Sequence, residues 1–199
     1  MLQTMAAMQD SHNQHVHPEW RTQGYEYYRA IWVECAELLD HFGWKWWKLQ
    51  NPDLDQVKLE IVDIWHFGLS ELMRSDALDG SAAEMLMQMG ADASETGFRC
   101  AVETLAAETL ISRSFPLAAF AGVMRTLPMS YSELFDLYIG KNVLNNFRQA
   151  HGYKTGEYQK VWSGREDNEH LVEALAELDC APEDIPLALH AALKARYPD

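Results

Sequence analysis

YEYYRAIWVECAELLDH (residues 25–41) and DLDQVKLEIVDIWHFGLSELMR (residues 53–74) decide the fold. The first run holds neither Gly nor Pro, its pattern is helical, and Gly43 closes it. The second follows Asn51-Pro52-Asp53, a helix-start signal in which Asp53 or Asp55 can cap a helix reaching about Arg74. The connection, roughly Phe42 to Leu54, is short, and short connections favour antiparallel neighbours.

Each helix carries an acidic pair three residues apart: Glu34 with Glu37, and Glu60 with Asp63. Residues at that spacing share a helix face. Their surroundings are apolar, with Ile31, Trp32, Val33, Leu38 and Leu39 on one helix and Leu59, Ile61, Val62, Ile64 and Trp65 on the other. Antiparallel packing would gather the four carboxylates. A single Glu-x-x-Glu is more often a solvated stripe than a metal site. Here, however, Leu38, His41, Ile64 and Phe67 stand four residues on from the acids, where an exposed helix acid often finds Lys or Arg. Four neighbouring carboxylates repel and are costly to desolvate unless a divalent cation supplies the opposite charge. All-oxygen ligands suit Mg²⁺ or Mn²⁺. A di-iron bundle ranks behind, because it wants Glu-x-x-His on two helices and only His66, three after Asp63, has that spacing.

The same helical reading extends outward: Ala82 to Met89, Phe98 to Ser112, a helix starting at Pro116 and ended by Pro128, a Ser130-Tyr-Ser-Glu133 capping box opening a helix to about Phe147, Glu169 to Leu178, and Glu183 to Tyr197. Gly90 and Gly97 separate two of these runs, and Asp79-Gly80-Ser81 breaks the chain. Arg148 to Asn168 reads as a loop, with Gly152, Gly156 and Gly164. Strand alternation is scarce and no repeat or linker stands out, so residues 1–199 are expected to form a single all-α domain, a helical bundle.

The 199 residues are 48% hydrophobic and 23% charged, an ordinary globular balance that excludes a disordered chain. A chain of this length buries about 70% of the surface its unfolded form exposes, so it needs no staple. Cys35, Cys100 and Cys180 are widely spaced without Cys-x-x-Cys and read as reduced thiols. No apolar run nears the ~20 residues of a membrane span. MLQTMAAMQDSH lacks the basic start and apolar run of a secretory leader, so a cytoplasmic location is expected.

Net charge is −14, against general nucleic-acid binding, and no membrane partner is expected. It is also uneven. Residues 141–165 hold Lys141, Arg148, Lys154, Lys160 and Arg165 against Glu157 alone, a local +4 that leaves −18 on the remainder. The segment KNVLNNFRQAHGYKTGEYQKVWSGREDN (141–168) mixes cations, amides, aromatics and glycines. Lys and Arg neutralise phosphate oxygens, and glycines let backbone N–H groups approach an anion. It matches neither a Walker A nor a Gly-x-Gly-x-x-Gly pattern. Hard-metal carboxylates and a basic loop are together the equipment for cleaving a nucleoside polyphosphate.

These residues resemble a known family, the dimeric all-α dUTPases, related to MazG-like nucleotide pyrophosphatases. The resemblance lies in the Glu-x-x-Glu…Glu-x-x-Asp pattern, in YRAIWVECAELLDHFGWKWWK (28–48), in the run from Lys141 to Asn168, and in an opening Gln9-Asp10-Ser11-His12-Asn13. It implies a homodimer that hydrolyses dUTP, and also dUDP, to dUMP. Glu34, Glu37, Glu60 and Asp63 would hold Mg²⁺, with Mn²⁺ as substitute. Glu34 or Glu37 would activate the attacking water. Gln9, Asn13 and Trp47 would surround the uracil and Asn145 would fix the nucleoside. Lys141, Arg148, Tyr153, Lys154 and Lys160 would meet the phosphates, with Asp167 and Asn168 ordering their loop. Residues 75–129 show no motif and are read as a family-variable helical insert.

Uracil selectivity needs an amide that donates to O4 and accepts from N3–H, which Gln9 and Asn13 can do. On residue type alone, Gln9 reads as a solvated N-terminal side chain, and two or more of Trp44, Trp46 and Trp47 as core or interface. His12, His15 and His17 find no second element to complete a metal site. His151 beside the basic loop is expected either to assist at a phosphate or to cap a turn. Two alternatives stand: a relative acting on dCTP or a modified nucleotide, and a helical dimer without activity.

Overall fold

The computed structural model of the chain describes residues 1–88, 94–127, 129–181 and 184–198. The helix end expected at Met89, the breaks at Gly90 and Pro128 and the start at Glu183 lie outside the described residues. Those residues form α-helices joined by turns, with one two-residue hairpin, so the fold is all-α. They divide by packing into two compact units, Met1–Phe135 and Asp136–Asp199.

The first unit is built around α3 (Leu54–Arg74), which is buried on nearly every side. A helix that is apolar all round belongs at the centre of a core. Val57, Ile61, Val62, Ile64, Trp65 and Leu69 are fully buried. Trp65 stacks on Phe120 with ring centroids 5.5 Å apart. Gly68 faces Phe115 so closely that a Cβ would lie 2.6 Å from the ring, which requires glycine there. Asp53 caps the helix, its side chain accepting from the Gln56 N–H at 3.3 Å.

α2 (Tyr27–Phe42) packs along α3. Next to the connection, the Asp53 N–H donates to the His41 carbonyl; about two turns along α3, Glu60 meets the His41 ring; further out, Asp63 acts on Glu34. Those pairings run in opposite directions along the two helices, as expected of antiparallel neighbours. α2 ends at Gly43, whose φ of 90° lies in the left-handed region that glycine adopts without strain.

A first helix, α1 (Leu2–Val16), was not expected. Its buried positions are Met5, Gln9 and Asn13, spaced four apart. Two of those three are polar, so no apolar stripe marks the face that docks. The contacts Met5–Trp65, Gln9–His66 and Asn13–Ser70 run the same way along both helices, so α1 lies parallel to α3.

α4 (Gly80–Met87), α5 (Glu95–Ser112) and α6 (Leu117–Thr126) complete the first unit with the start of α7 (Tyr131–Ala150). Ser130 caps α7, accepting from the Glu133 N–H at 3.1 Å. The Glu133 carboxylate reaches Lys58 of α3 at 2.6 Å.

The second unit holds the rest of α7, α8 (Asp167–Glu177) and α9 (Ile185–Arg196). Between α7 and α8 the expected loop is partly ordered: α7 runs on to Ala150, Tyr153–Thr155 form a 3₁₀ turn, and β1 (Val161–Trp162) pairs antiparallel with β2 (Arg165–Glu166). The strands are too short to show alternation, and α8 starts two residues before the expected Glu169. Phe147, Trp162, Leu171, Leu189 and Leu193 are fully buried here.

Candidate active site

Glu34 and Glu37 on α2 and Glu60 on α3 bring one carboxylate oxygen each to within 4.8 Å of one another. Among the described residues this is the one group of three or more His, Cys, Asp or Glu that gathers in this way. Asp63 lies one turn beyond Glu60, half-buried, and its charge acts on Glu34. Glu60 is 4% exposed, Glu34 is intermediate and Glu37 opens to solvent. Burial pushes the Glu34 carboxyl up to about 9, and the charges of Asp63, Glu60 and Glu37 push the same way. His41 sits 3.6 Å from Glu60, one turn beyond Glu37 on the same face. That spacing was visible in the sequence, but only as the absence of a Lys or Arg.

The donor set is all oxygen, on two helices held by a packed core, and its mutual repulsion is what a divalent cation relieves. Residues of this kind fit a hard metal ion.

Gln9 and Asn13 are 4% and 8% exposed, not solvated. They are buried because the face of α1 that carries them lies against α3. The Gln9 amide donates to Asn13 Oδ1 at 3.0 Å and its oxygen lies 2.6 Å from His66 Nδ1; Asn13 donates to Ser70 Oγ at 2.9 Å. Ser70 is a partner that the sequence did not single out, and His66 stood out there only for its metal-ligand spacing, although each sits at the i+3 or i+4 step that carries the α3 face onward from Asp63.

Trp47 belongs to a different part of the first unit. It meets Trp44 and Trp46 edge-on, with centroids 5.2 and 5.4 Å away. This cluster borders a pocket of about 570 Å³ lined also by Phe42, Lys45, Lys48 and Arg99; Gln9 and Asn13 do not line it. Gln50 holds the loop, its Oε1 accepting from the Trp44 and Lys45 N–H groups at 3.0 and 2.8 Å. Trp46 is 89% exposed, so this tryptophan is not core.

In the second unit, Lys141 is 1% exposed and donates to Asn168 Oδ1 at 2.8 Å. Arg148 grips the fully buried Asp167 with two bonds of 2.7 and 2.8 Å, and also reaches Asn168 and Asn145. Burial alone would raise the Asp167 carboxyl; bonds from Arg148 and Tyr158 outweigh it and hold the group below its ordinary value. Asp167 and Asn168 thus tie the start of α8 to α7. Lys160 pairs with Glu166 at 3.0 Å, while Tyr153 and Lys154 are exposed. His151 stacks on Phe147 at 3.9 Å and its Nδ1 lies 2.8 Å from that residue's carbonyl oxygen, the turn-capping alternative.

An all-α frame whose two adjacent helices gather acidic side chains is a frame that could hold a hard cation, as a helical phosphohydrolase would use it. A family model described as dUTPase matches residues 1–153, more than three quarters of the chain, and the chain belongs to that family, the all-α dUTPases. It is a dUTP diphosphatase that hydrolyses dUTP. The comparison with curated proteins gives no match.

Proposed function

We propose that Glu34, Glu37, Glu60 and Asp63 hold Mg²⁺, with Mn²⁺ as a substitute, and that the enzyme converts dUDP as well as dUTP to dUMP. The observation that carries this reading is the 4.8 Å convergence of three carboxylates from two helices. When bound, the cation neutralises phosphate charge and lowers the pKa of the water that attacks. Glu37, the exposed member, or Glu34, whose carboxyl burial and its acidic neighbours push up, orients that water toward the β phosphorus and takes its proton.

Gln9 and Asn13 contact the uracil edge and Trp47 offers it a π face. Tyr153, Lys154 and Lys160 meet phosphate oxygens. Lys141 and Arg148 belong to the same basic set, held in place by Asn168 and Asp167, and Asn145 fixes the nucleoside. The enzyme works as a homodimer in the cytoplasm; no helix among the described residues is long and apolar enough to cross a membrane.

Pyrophosphate release from dUTP and from each of the four standard deoxynucleoside triphosphates, with Mg²⁺ and with EDTA, tests this. dUTP is turned over fastest, EDTA abolishes release, and Mg²⁺ restores it. Glu37→Gln lowers kcat by roughly a hundredfold, as loss of a group worth several kcal/mol in the transition state requires. Full activity in EDTA, or a fully active Glu37→Gln, overturns the metal assignment.

A further inference from the structure

Around His66 the hydrogen bonds close into a ring, all within the first unit. The Ser70 hydroxyl donates to the His66 carbonyl one turn back, at 2.9 Å. Asn13 Nδ2 donates to Ser70 Oγ at 2.9 Å, and Gln9 Nε2 donates to Asn13 Oδ1 at 3.0 Å. Gln9 Oε1 meets His66 Nδ1 at 2.6 Å and completes the circuit. All four residues are buried. The Tyr27 phenol also meets the Ser70 hydroxyl.

The ring has one direction. A backbone carbonyl only accepts, so Ser70 gives its proton to the His66 carbonyl and its oxygen accepts from Asn13. The Asn13 amide is thereby turned with its nitrogen toward Ser70, so its oxygen accepts from Gln9. The Gln9 oxygen then faces His66, which must carry its proton on Nδ1.

Direction matters for base choice. Uracil shows an O4 acceptor beside an N3–H donor; cytosine shows an amino donor beside an N3 acceptor. An amide that flips freely presents either pattern and so prefers neither base. The ring decides on which side the N–H donors and on which side the oxygen lone pairs of each amide point.

We propose that His66 and Ser70 are positioning residues for uracil selectivity: their ring of hydrogen bonds locks the Gln9 and Asn13 amides against flipping. The inference rests on the reading of those two amides as uracil contacts, and the test separates the two.

Measure kcat/KM for dUTP and for dCTP in the full-length enzyme. Gln9→Leu reads the underlying assignment, and the dUTP:dCTP ratio falls. Ser70→Ala and His66→Leu each lower the ratio by about tenfold, the factor that ~1.4 kcal/mol of lost orientation gives. His66→Asn, which keeps an N–H near the Nδ1 position, restores most of it. A merely structural role would depress both substrates together and leave the ratio untouched. If Gln9→Leu lowers the ratio while Ser70→Ala and His66→Leu do not, the lock is wrong. If Gln9→Leu leaves the ratio unchanged, the uracil assignment falls and the lock falls with it. Ser70→Ala removes a single oxygen, so it keeps the test open should His66→Leu fail to fold.

Discussion

Glu34 holds its proton because it is buried among anions: burial first, then Asp63, Glu60 and Glu37, lift it to about 9. In the unfolded chain a glutamate titrates near 4.3, so between about pH 4.3 and pH 9 the native state binds more protons than the unfolded one. Stability of the metal-free enzyme therefore falls as pH rises through that window. Urea midpoints in EDTA are expected to decline from pH 5 to pH 9, and Glu34→Gln to remove most of the slope while abolishing activity. The variant should be the more stable protein at pH 8 in EDTA. A slope unchanged by the substitution would show that another group carries it. Mg²⁺ should flatten the slope in the wild type, because a cation makes the charged form the favoured one. The spacing of the four acids was legible in the sequence, since three residues on a helix define a face. Which of them would hold a proton was not, because that depends on burial, and the exposed Glu37 and the nearly buried Glu60 have the same local pattern.

Between elements, the joint of α7 and α8 is an ion pair with almost no water around it. Arg148 makes two bonds to Asp167, whose side chain has no exposure, and Tyr158 adds a third at 2.7 Å. Removing one partner of such a pair leaves the other buried and uncompensated, which costs about 3–5 kcal/mol. Asp167→Ala is thus expected to lower unfolding free energy by about that amount in denaturant titrations. A change below ~1 kcal/mol would mean that water reaches the site and that the pair is of the weak, exposed kind. Helices with apolar stripes, caps and glycine stops were legible: Asp53 caps α3, Gly43 ends α2 and Ser130 opens α7. Helix α1 was not, because it docks through Gln9 and Asn13 and replaces apolar contacts with hydrogen bonds to His66 and Ser70. The β1–β2 hairpin was hidden for another reason: with two residues per strand, a period of two cannot show itself. The basic residues there stood out by charge, yet charge alone did not tell Lys141, buried against Asn168, from the exposed Lys154.

At the scale of the whole molecule, a net charge of −14 confronts an anionic nucleotide. On the proposed reading two features offset that repulsion: the +4 of residues 141–165, and the cation that the acidic quartet would take. The first is always present, whereas the second can be withdrawn, so the two can be told apart. A ligand that binds only the folded protein stabilises it by about 2.7 kcal/mol at one hundred times its Kd. For a chain of 199 residues that corresponds to roughly 5–11 °C in Tm, taking about 2–4 °C per kcal/mol. A non-hydrolysable dUTP analogue with Mg²⁺ is expected to raise Tm by that much. The same analogue in EDTA should raise it far less, since the quartet then repels the phosphates instead of sharing a cation with them. Mg²⁺ alone should raise Tm more at pH 8 than at pH 5, because at pH 5 the Glu34 proton competes with it. An equal shift with and without Mg²⁺ would mean that the basic residues carry the triphosphate unaided, and the acidic quartet would then have no part in binding substrate.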